Sequence, residues 1–239
     1  MYNIIGKKKI WFTFSGILMA VSIIVLSVWG LRLGIDFSGG SLLEISYSTD
    51  RPDLNTMEQS LTEFELESLK IQPAGEHEYI LRFEEIDEDT HQNILSKLQT
   101  EDNQLNENRF EAIGPSIGNE LKTKAIQSII IVLLFIVIYI AYAFRKVSKP
   151  VASWKYGISA IIALVHDILI ITGIFAVLGY FFRVEVDSLF VTALLTILGF
   201  SIHDTIVTFD RTRENLIKNK DESFDDIINI SVNQTIVRS

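Results

Sequence analysis

The stretch Ser188–Phe209 reads SLFVTALLTILGFSIHDTIVTF, and His203 and Asp204 are its two ionisable side chains. Its length suits a helix that crosses a bilayer, which takes roughly 20 residues at about 1.5 Å each. An acidic side chain inside such a helix costs roughly 2.5–3.5 kcal/mol on insertion scales. Because this cost has to be compensated, we interpret Asp204 as a functional residue that requires a partner.

The composition of the whole chain also indicates a membrane protein. Hydrophobic residues make up 48% of the 239 residues, yet 21% are charged, so apolar and polar stretches must be segregated. The net charge is −9, with most acids between Asp36 and Glu120. A strongly acidic chain without a basic stripe argues against nucleic acid as a partner. The absence of cysteine excludes disulfides, thiolate nucleophiles and cysteine-ligated zinc.

Four segments have the length and apolar character of a membrane span. They cover residues 10–31 (TM1), 125–144 (TM2), 156–182 (TM3) and 187–209 (TM4). A cleaved signal peptide does not explain TM1, because the apolar stretch is too long and no small-residue cleavage site follows it. The sequence therefore predicts four transmembrane helices.

Basic clusters near the ends of these segments predict the orientation of the chain. They precede TM1, fill the link between TM2 and TM3, and follow TM4; their members are Lys7, Lys8, Lys9, Arg145, Lys146, Lys149, Lys155, Arg211, Arg213, Lys218 and Lys220. All three clusters share one side if each segment spans once, and basic residues favour the cytoplasm. We therefore expect residues 1–9, 145–155 and 210–239 to be cytoplasmic, and residues 32–124 and the turn 183–186 to lie outside.

The outer region, residues 32–124, is long enough to fold as a small domain. Its pattern predicts a strand at 41–48, a helix at 54–66, strands at 69–72 and 78–85, a helix at 87–100 and a strand at 109–114. We expect Asp50 or Asp53 to cap the first helix. The βαββαβ order predicts a ferredoxin-like domain, and the whole chain an α+β membrane protein with an α-helical transmembrane bundle.

Nothing in this region indicates metal, nucleotide or sugar chemistry. Its acidic clusters, Glu76–Glu78 and Glu84–Asp89, are interpreted as solvated faces or helix caps, because they lack the spacing of an EF-hand. The glycine-rich Gly34–Gly40 lacks the lysine and spacing of a P-loop. We therefore expect no metal, no cofactor and no enzymatic activity.

Two glycine-containing stretches bracket the outer domain, GIDFSGG at Gly34–Gly40 and GPSIG at Gly114–Gly118. Glycine permits unusual backbone conformations, and a proline ends the preceding strand. We interpret both stretches as hinges in preference to ligand sites. The hinge residues are Gly34, Gly39, Gly40, Gly114, Pro115 and Gly118.

Five ordered motifs resemble the SecF family, whose members work with SecD beside the bacterial Sec protein-export channel. They are Gly34–Gly40, Gly114–Gly118, Ala163–Asp167, Leu198–Asn215 and Asn233–Ser239. The resemblance extends from end to end and places the chain among the resistance-nodulation-division transporters. It implies a ferredoxin-like periplasmic domain, six transmembrane helices and the bacterial inner (plasma) membrane. This chain has four spans and stops at Ser239, where the family's fifth helix should start, so we expect it to be truncated.

The resemblance also implies partners and an energy source. The partners are SecD, the SecY/SecE/SecG channel, SecA indirectly, the unfolded exported polypeptide and membrane lipids. The proton-motive force, or the sodium-motive force in some bacteria, drives late steps of export in this family. Two alternatives stay open: a purely structural subunit that stabilises SecD or the channel, and a small-molecule or lipid exporter of the same superfamily. The modest outer domain argues against the exporter.

The resemblance assigns the family's intramembrane acid to Asp204 and its basic counterpart in the next helix to Arg238. Asp204 lies roughly 8 Å inside the cytoplasmic end of TM4. The amphipathic segment 220–235 could follow the membrane surface and return Arg238 to a similar depth. Such a pair would titrate as a unit and relay protons or ions. A static ion pair that fixes helix packing is the alternative.

Asp167 is a second intramembrane acid, about 16 Å from Tyr156 along TM3. A buried acid needs a polar partner, and the candidates are Asp204, the Thr205 hydroxyl or a group on SecD. A relay role and a static role are both open. His166 and His203 are possible relay members, although for His203 we favour a packing role.

Overall fold

The computed structural model describes residues 2–99, 104–143, 153–219 and 221–236. The chain divides into two units, residues 33–125 and the combination of residues 1–32 with 126–239. The helices are α1 Lys8–Val28, α2 Ile35–Ser38, α3 Leu54–Leu61, α4 Glu88–Leu98, α5 Pro115–Ala143, α6 Ser153–Phe182, α7 Ser188–Lys218 and α8 Phe224–Thr235. The strands are β1 Gly40–Tyr47, β2 Lys70–Ala74, β3 Glu78–Phe83 and β4 Leu105–Ile113.

The unit of residues 33–125 carries an antiparallel sheet in the order β2-β3-β1-β4. α3 joins β1 to β2, and α4 joins β3 to β4, so the expected βαββαβ ferredoxin-like order is confirmed. β4 begins at Leu105, four residues before the expected start, because it pairs along β1 as far as Tyr47. α3 ends at Leu61 and the chain continues as a 3-10 turn at Thr62–Phe64, which stops before Leu66 because Glu65 takes a left-handed conformation with φ 47°.

The core of this unit lies between the sheet and its two helices. Leu43 and Ile45 of β1 and Leu81 of β3 are fully buried there. Met57 of α3 and Ile94 of α4 pack against them. Burying a side chain of this size contributes roughly 1.5–3 kcal/mol, so these positions decide which face of the sheet the helices cover.

Each of the two helices begins at an aspartate that caps it. Asp53 accepts a hydrogen bond from the Thr56 N–H at 2.7 Å, and Asp87 accepts one from the Thr90 N–H at 2.9 Å. The bond from the Thr56 backbone lowers the pKa of Asp53, and hydrogen bonds from Thr90 lower the pKa of Asp87. Of the two expected caps for the first helix, the structure selects Asp53.

Within the described residues, four helical stretches are long and apolar enough to cross a membrane: Ile5–Val28, Pro115–Ile140, Trp154–Phe182 and Ser188–Lys218. Together with the sheet they confirm the expected α+β membrane class. α5 begins ten residues before the predicted TM2, and α7 ends nine residues after the predicted TM4. Apolar composition marks the bilayer, whereas a helix continues through polar residues until its backbone hydrogen bonds end. The membrane boundaries therefore stay predictions.

Small residues bring α1 and α6 together. Ser22 of α1 is buried, and a Cβ atom on Gly173 of α6 would lie 2.4 Å from its Oγ. Near the C-terminal ends of both helices, Trp29 stacks on Tyr180 with 4.3 Å between the ring centroids. Small residues at a helix contact allow the close backbone approach on which packing in membranes depends.

Candidate functional site

Asp167 on α6 is hydrogen-bonded on both carboxylate oxygens. The hydroxyl of Ser201 on α7 donates to its Oδ2 at 2.5 Å. The Nδ1 atom of His166 lies 2.9 Å from its Oδ1. These two contacts give the partly buried carboxylate of Asp167 polar partners within an apolar helix. They also tie the acid-bearing turn of α6 to the neighbouring helix α7.

Ser201 is a residue that the sequence reasoning missed. The sequence suggests the Thr205 hydroxyl as a partner for Asp167. In the structure, the Thr205 hydroxyl donates to the carbonyl of Ser201 at 2.9 Å. The two hydroxyls are four residues apart and therefore lie on the same face of α7. The sequence indicated that a hydroxyl on this face of α7 would meet Asp167. It did not indicate how far α6 is shifted along α7, and this shift decides whether Ser201 or Thr205 makes the contact.

Asp204 and His203 lie on α7 with much of their surface free. Their facing atoms, His203 Nδ1 and Asp204 Oδ1, are 3.5 Å apart, and the side chains are 72% and 49% exposed. His203 therefore has little contact with the described part of this chain, and the packing role favoured for it stays a prediction. In the part of the chain that the structure describes, this contact is the one ion pair of Asp204. Arg238 falls outside the described residues, so its pairing with Asp204 stays a prediction.

Asp167 and Asp204 are brought into the same region of the bundle through Ser201. Ser201 precedes Asp204 by three residues, and residues at this spacing are neighbours on a helix surface. Since Ser201 contacts Asp167, the carboxylate of α6 meets α7 within one turn of the second acid. The structure shows no direct contact between the two acids among the described residues.

Helix α8 docks on α7 and on the N-terminal segment through polar side chains. Asn215 of α7 donates to Ser231 Oγ at 2.9 Å and to Gln234 Oε1 at 3.0 Å. One turn after Asp204, the Thr208 hydroxyl lies 3.3 Å from that of Thr235. The segment expected to be amphipathic thus binds α7 through polar side chains of its C-terminal part.

The same helix also holds the beginning of the chain. The N–H groups of Ile4 and Ile5 donate to Asn229 Oδ1 at 2.9 and 3.2 Å. Lys8 forms an ion pair with Asp225 at 2.5 Å. α8 therefore connects the N-terminus of α1 to the C-terminal half of α7.

The two glycine stretches of the ferredoxin-like unit meet each other. A Cβ atom on Gly39 would lie 2.8 Å from Pro115 Cα, and one on Gly118 would lie 2.8 Å from Gly39 N. Gly39 and Gly40 have φ angles of 74° and 116°, which side-chain-bearing residues rarely adopt. Gly39, Pro115 and Gly118 thus form one close-packed contact, which we call the glycine junction.

The other two hinge candidates support the same contact. Gly34 caps α2, and its carbonyl accepts the N–H of Ser38 at 3.1 Å. The carbonyl of Gly114 accepts the N–H of Gly118 at 3.0 Å in the first turn of α5. The sequence placed the two stretches at the roots of the domain but not in contact. Their hinge role stays a prediction.

Comparison with known proteins gives a consistent family. The profile described as "Protein export membrane protein SecD/SecF, C-terminal" matches residues 93–239, and that of the "SecD/SecF GG Motif" matches residues 24–50. The chain is 39% identical to the protein translocase subunit SecF of Thermobaculum terrenum and 34% identical to that of Anaerolinea thermophila. Both alignments cover 100% of this chain, with 78% and 77% of the relative.

A solved structure is similar over the same extent. The crystal structure of SecDF from Thermus thermophilus, described as a translocon-associated membrane protein, superposes with a TM-score of 0.82 and 26% identity. The match covers 99% of this chain and 31% of the length of that chain. On the profile matches and the identity to full SecF relatives, this chain belongs to the SecF family of protein translocase subunits.

Proposed function

We propose that this chain acts with SecD in a bacterial inner membrane and uses the proton- or sodium-motive force to promote late steps of protein export. The observation that carries the proposal is the placement of two acids, Asp167 and Asp204, on adjacent apolar helices that meet at Ser201. Charged groups at such positions are costly and mark ion pathways. The role is transport and involves no enzymatic step by this chain.

Asp204 is the proposed site of protonation because its carboxylate is half exposed and its described ion pair is with a histidine at 3.5 Å. Arg238 is its proposed counter-charge. Thr235, three residues before Arg238, contacts Thr208, one turn after Asp204. This contact supports the return of the chain toward the acid, and approach or withdrawal of the guanidinium would then load or release the ion.

The ferredoxin-like domain is the proposed working part outside the membrane. In this proposal the N-terminus is cytoplasmic, and the domain clamps an emerging unfolded polypeptide so that it does not slide back. The glycine junction, where Gly39 and Gly118 pack together, is the proposed hinge through which charge changes in the bundle would move the domain. A solved relative that is named SecDF and translocon-associated supports SecD and the SecY/SecE/SecG channel as partners, with SecA acting through that channel.

The proposal is tested by Asp204→Asn in the full-length protein assembled with SecD in inverted membrane vesicles. The amide keeps the size of the side chain and removes its titration. Asp210→Asn is the matched control, because Asp210 lies on the same helix, is 72% exposed and pairs with Arg213 at 3.9 Å. Export of a preprotein is measured with the proton gradient intact, with a proton ionophore, and with a sodium ionophore.

Gradient-dependent export is the part of export that is lost when an ionophore collapses the coupling gradient. We expect Asp204→Asn to abolish this gradient-dependent export and Asp210→Asn to retain it. The ionophore that reproduces the loss identifies the coupling ion. Gradient-dependent export that survives Asp204→Asn would contradict the relay and leave the chain as a structural subunit of the translocase.

A further inference from the structure

The hydroxyl of Ser201 departs from the usual bonding of hydroxyls on its own helix. Four other hydroxyls of α7 donate to the carbonyl four residues earlier, at 2.8–3.0 Å; they belong to Thr192, Thr196, Thr205 and Thr212. This intrahelical bond is the ordinary one for serine and threonine inside an apolar helix. Ser201 instead donates across to Asp167, although the carbonyl of Ile197 stands at the same offset.

The Ser201 hydroxyl donates to Asp167 in preference to its own helix because the Asp167 acceptor is a carboxylate. A hydrogen bond to an ionised group is stronger than one to a neutral carbonyl. If Asp167 takes up a proton at Oδ2, that oxygen becomes a donor and the Ser201 oxygen becomes its acceptor. The Ser201 hydroxyl hydrogen is then free to rotate to the Ile197 carbonyl. The contact between α6 and α7 thus has two satisfied forms, one for each charge state of Asp167.

His166 is less suited to carry the exchanged charge. With Nδ1 donating to Asp167, a neutral ring leaves Nε2 as an acceptor. Nε2 is buried and has no hydrogen-bond partner among the described residues, so a charged ring would place an N–H group there without an acceptor. The cost of a buried unsatisfied donor favours Asp167 as the group that changes its charge.

Few other ionisable groups face this contact. The helices packed against α6 are α1 and α7, and the second half of α5 packs near its start. Between Ile10 and Val28 α1 has no titratable side chain, and α5 contributes Tyr139 and Tyr142 between residues 125 and 143. The remaining groups near Ser201 are His203 and Asp204 on α7 itself. A charge change at Asp167 therefore acts directly on its two hydrogen-bond partners, His166 and Ser201, and of these Ser201 lies on the neighbouring helix.

We propose that Ser201 is a positioning residue whose hydroxyl exchanges donor and acceptor roles with Asp167 and so couples the protonation of α6 to its packing on α7. The inference rests on the proposed function and adds a residue to its ion pathway. A proton from the aqueous phase adds to Oδ2 of Asp167 and leaves by the same O–H bond. No other covalent bond is made or broken.

The first test is infrared difference spectroscopy of the full protein with SecD in lipid nanodiscs, between neutral and acidic pH. Asp167→Asn identifies the carboxyl band of Asp167 by its disappearance. We expect Ser201→Ala to move this band, because the protonated carboxyl has lost a hydrogen-bond partner, and Ser201→Thr to restore its position. Thr196→Ala, which removes an intrahelical hydroxyl from the same helix, should leave it unchanged. A band that does not move in Ser201→Ala overturns the inference.

The second test is a double-mutant cycle on gradient-dependent export. Loss of one charge-assisted hydrogen bond should reduce export by about tenfold in Ser201→Ala, with rescue by Ser201→Thr. Adding Ser201→Ala to Asp167→Asn should cause no further loss, whereas independent losses would overturn the inference. The infrared result requires no export. Its outcome is therefore independent of the Asp204→Asn experiment that tests the proposed function.

Discussion

Gly173 of α6 lies directly against Ser22 of α1, so closely that a Cβ atom at Gly173 would sit 2.8 Å from Ser22 Cα and 2.5 Å from its Cβ. A side chain at Gly173 would push the two helices apart. The contact lies seven residues before the Trp29–Tyr180 stacking at the same pair of helices. Close approach at one point and aromatic stacking at the other therefore set the separation of α1 from α6.

Gly173→Ala should destabilise the bundle by about 1–3 kcal/mol, because the extra methyl overpacks a contact that already excludes it. The measurement is thermal or detergent-induced unfolding of the purified protein. Gly157→Ala is the control on the same helix, since nothing lies within 4 Å of its added Cβ. Alanine is the better helix former there, so equal or higher stability is expected. Equal losses in both variants would contradict the close contact.

Gly39→Ala tests the glycine junction. The substitution meets two penalties, a φ of 74° and a Cβ placed 2.8 Å from Pro115 Cα. Gly75→Ala meets the first alone, because φ is 57° and the nearest atom, an oxygen of Glu78, is 3.9 Å away. A positive φ costs a residue with a side chain roughly 1–3 kcal/mol, and the ψ of 172° at Gly39 lies in a region that is essentially confined to glycine. Denaturant unfolding should show a clearly greater loss for Gly39→Ala, and indistinguishable losses would mean that the junction tolerates a side chain.

The two aspartate caps predict an acid limit for the ferredoxin-like domain. Hydrogen bonds lower the pKa of Asp53 and Asp87 below the ordinary aspartate value of 3.8. A lowered pKa in the folded state means that each cap stabilises the domain fully above 3.8 and less as pH falls through the folded value. The hydrogen-exchange protection of α3 and α4, measured relative to the intrinsic exchange rate at each pH, should therefore fall below about pH 4. Asp87→Asn keeps a capping oxygen without titrating, so this loss of protection should weaken for α4 and persist for α3.

The sequence predicted those elements whose cause is local. Alternation and turn residues gave the βαββαβ order, and an aspartate before each helix gave the caps. Apolar length gave four membrane helices but not their ends, because polar residues such as Glu120 and Lys122 continue α5 beyond the apolar stretch. A helix end is set by backbone hydrogen bonding, and apolar periodicity does not report where that bonding stops.

The parts of the site that escaped prediction depend on packing between distant segments. Whether Ser201 or Thr205 meets Asp167 is decided by the axial offset of α6 against α7. Contact between Gly39 and Pro115 follows from pairing of β1 with β4, which places Gly40 opposite Ile113. Neither relation has a signal in residue spacing, because each depends on how two elements far apart in the chain are aligned.

Asn215→Ala should release α8 from α7. The Asn215 side chain is buried and donates to both Ser231 and Gln234, so its removal leaves a buried hydroxyl and an amide oxygen with fewer partners, at a cost of about 1–3 kcal/mol. Hydrogen exchange of residues 224–235 should accelerate by roughly tenfold or more, since each 1.4 kcal/mol changes an equilibrium tenfold. Lys218→Ala is the control, because its exposed ion pair with Glu214 contributes little. If α8 docks through its apolar side chains alone, the two variants would exchange at the same rate. Faster exchange in Asn215→Ala alone, with α1 and α6 still protected, would identify this polar contact as what holds α8 on α7.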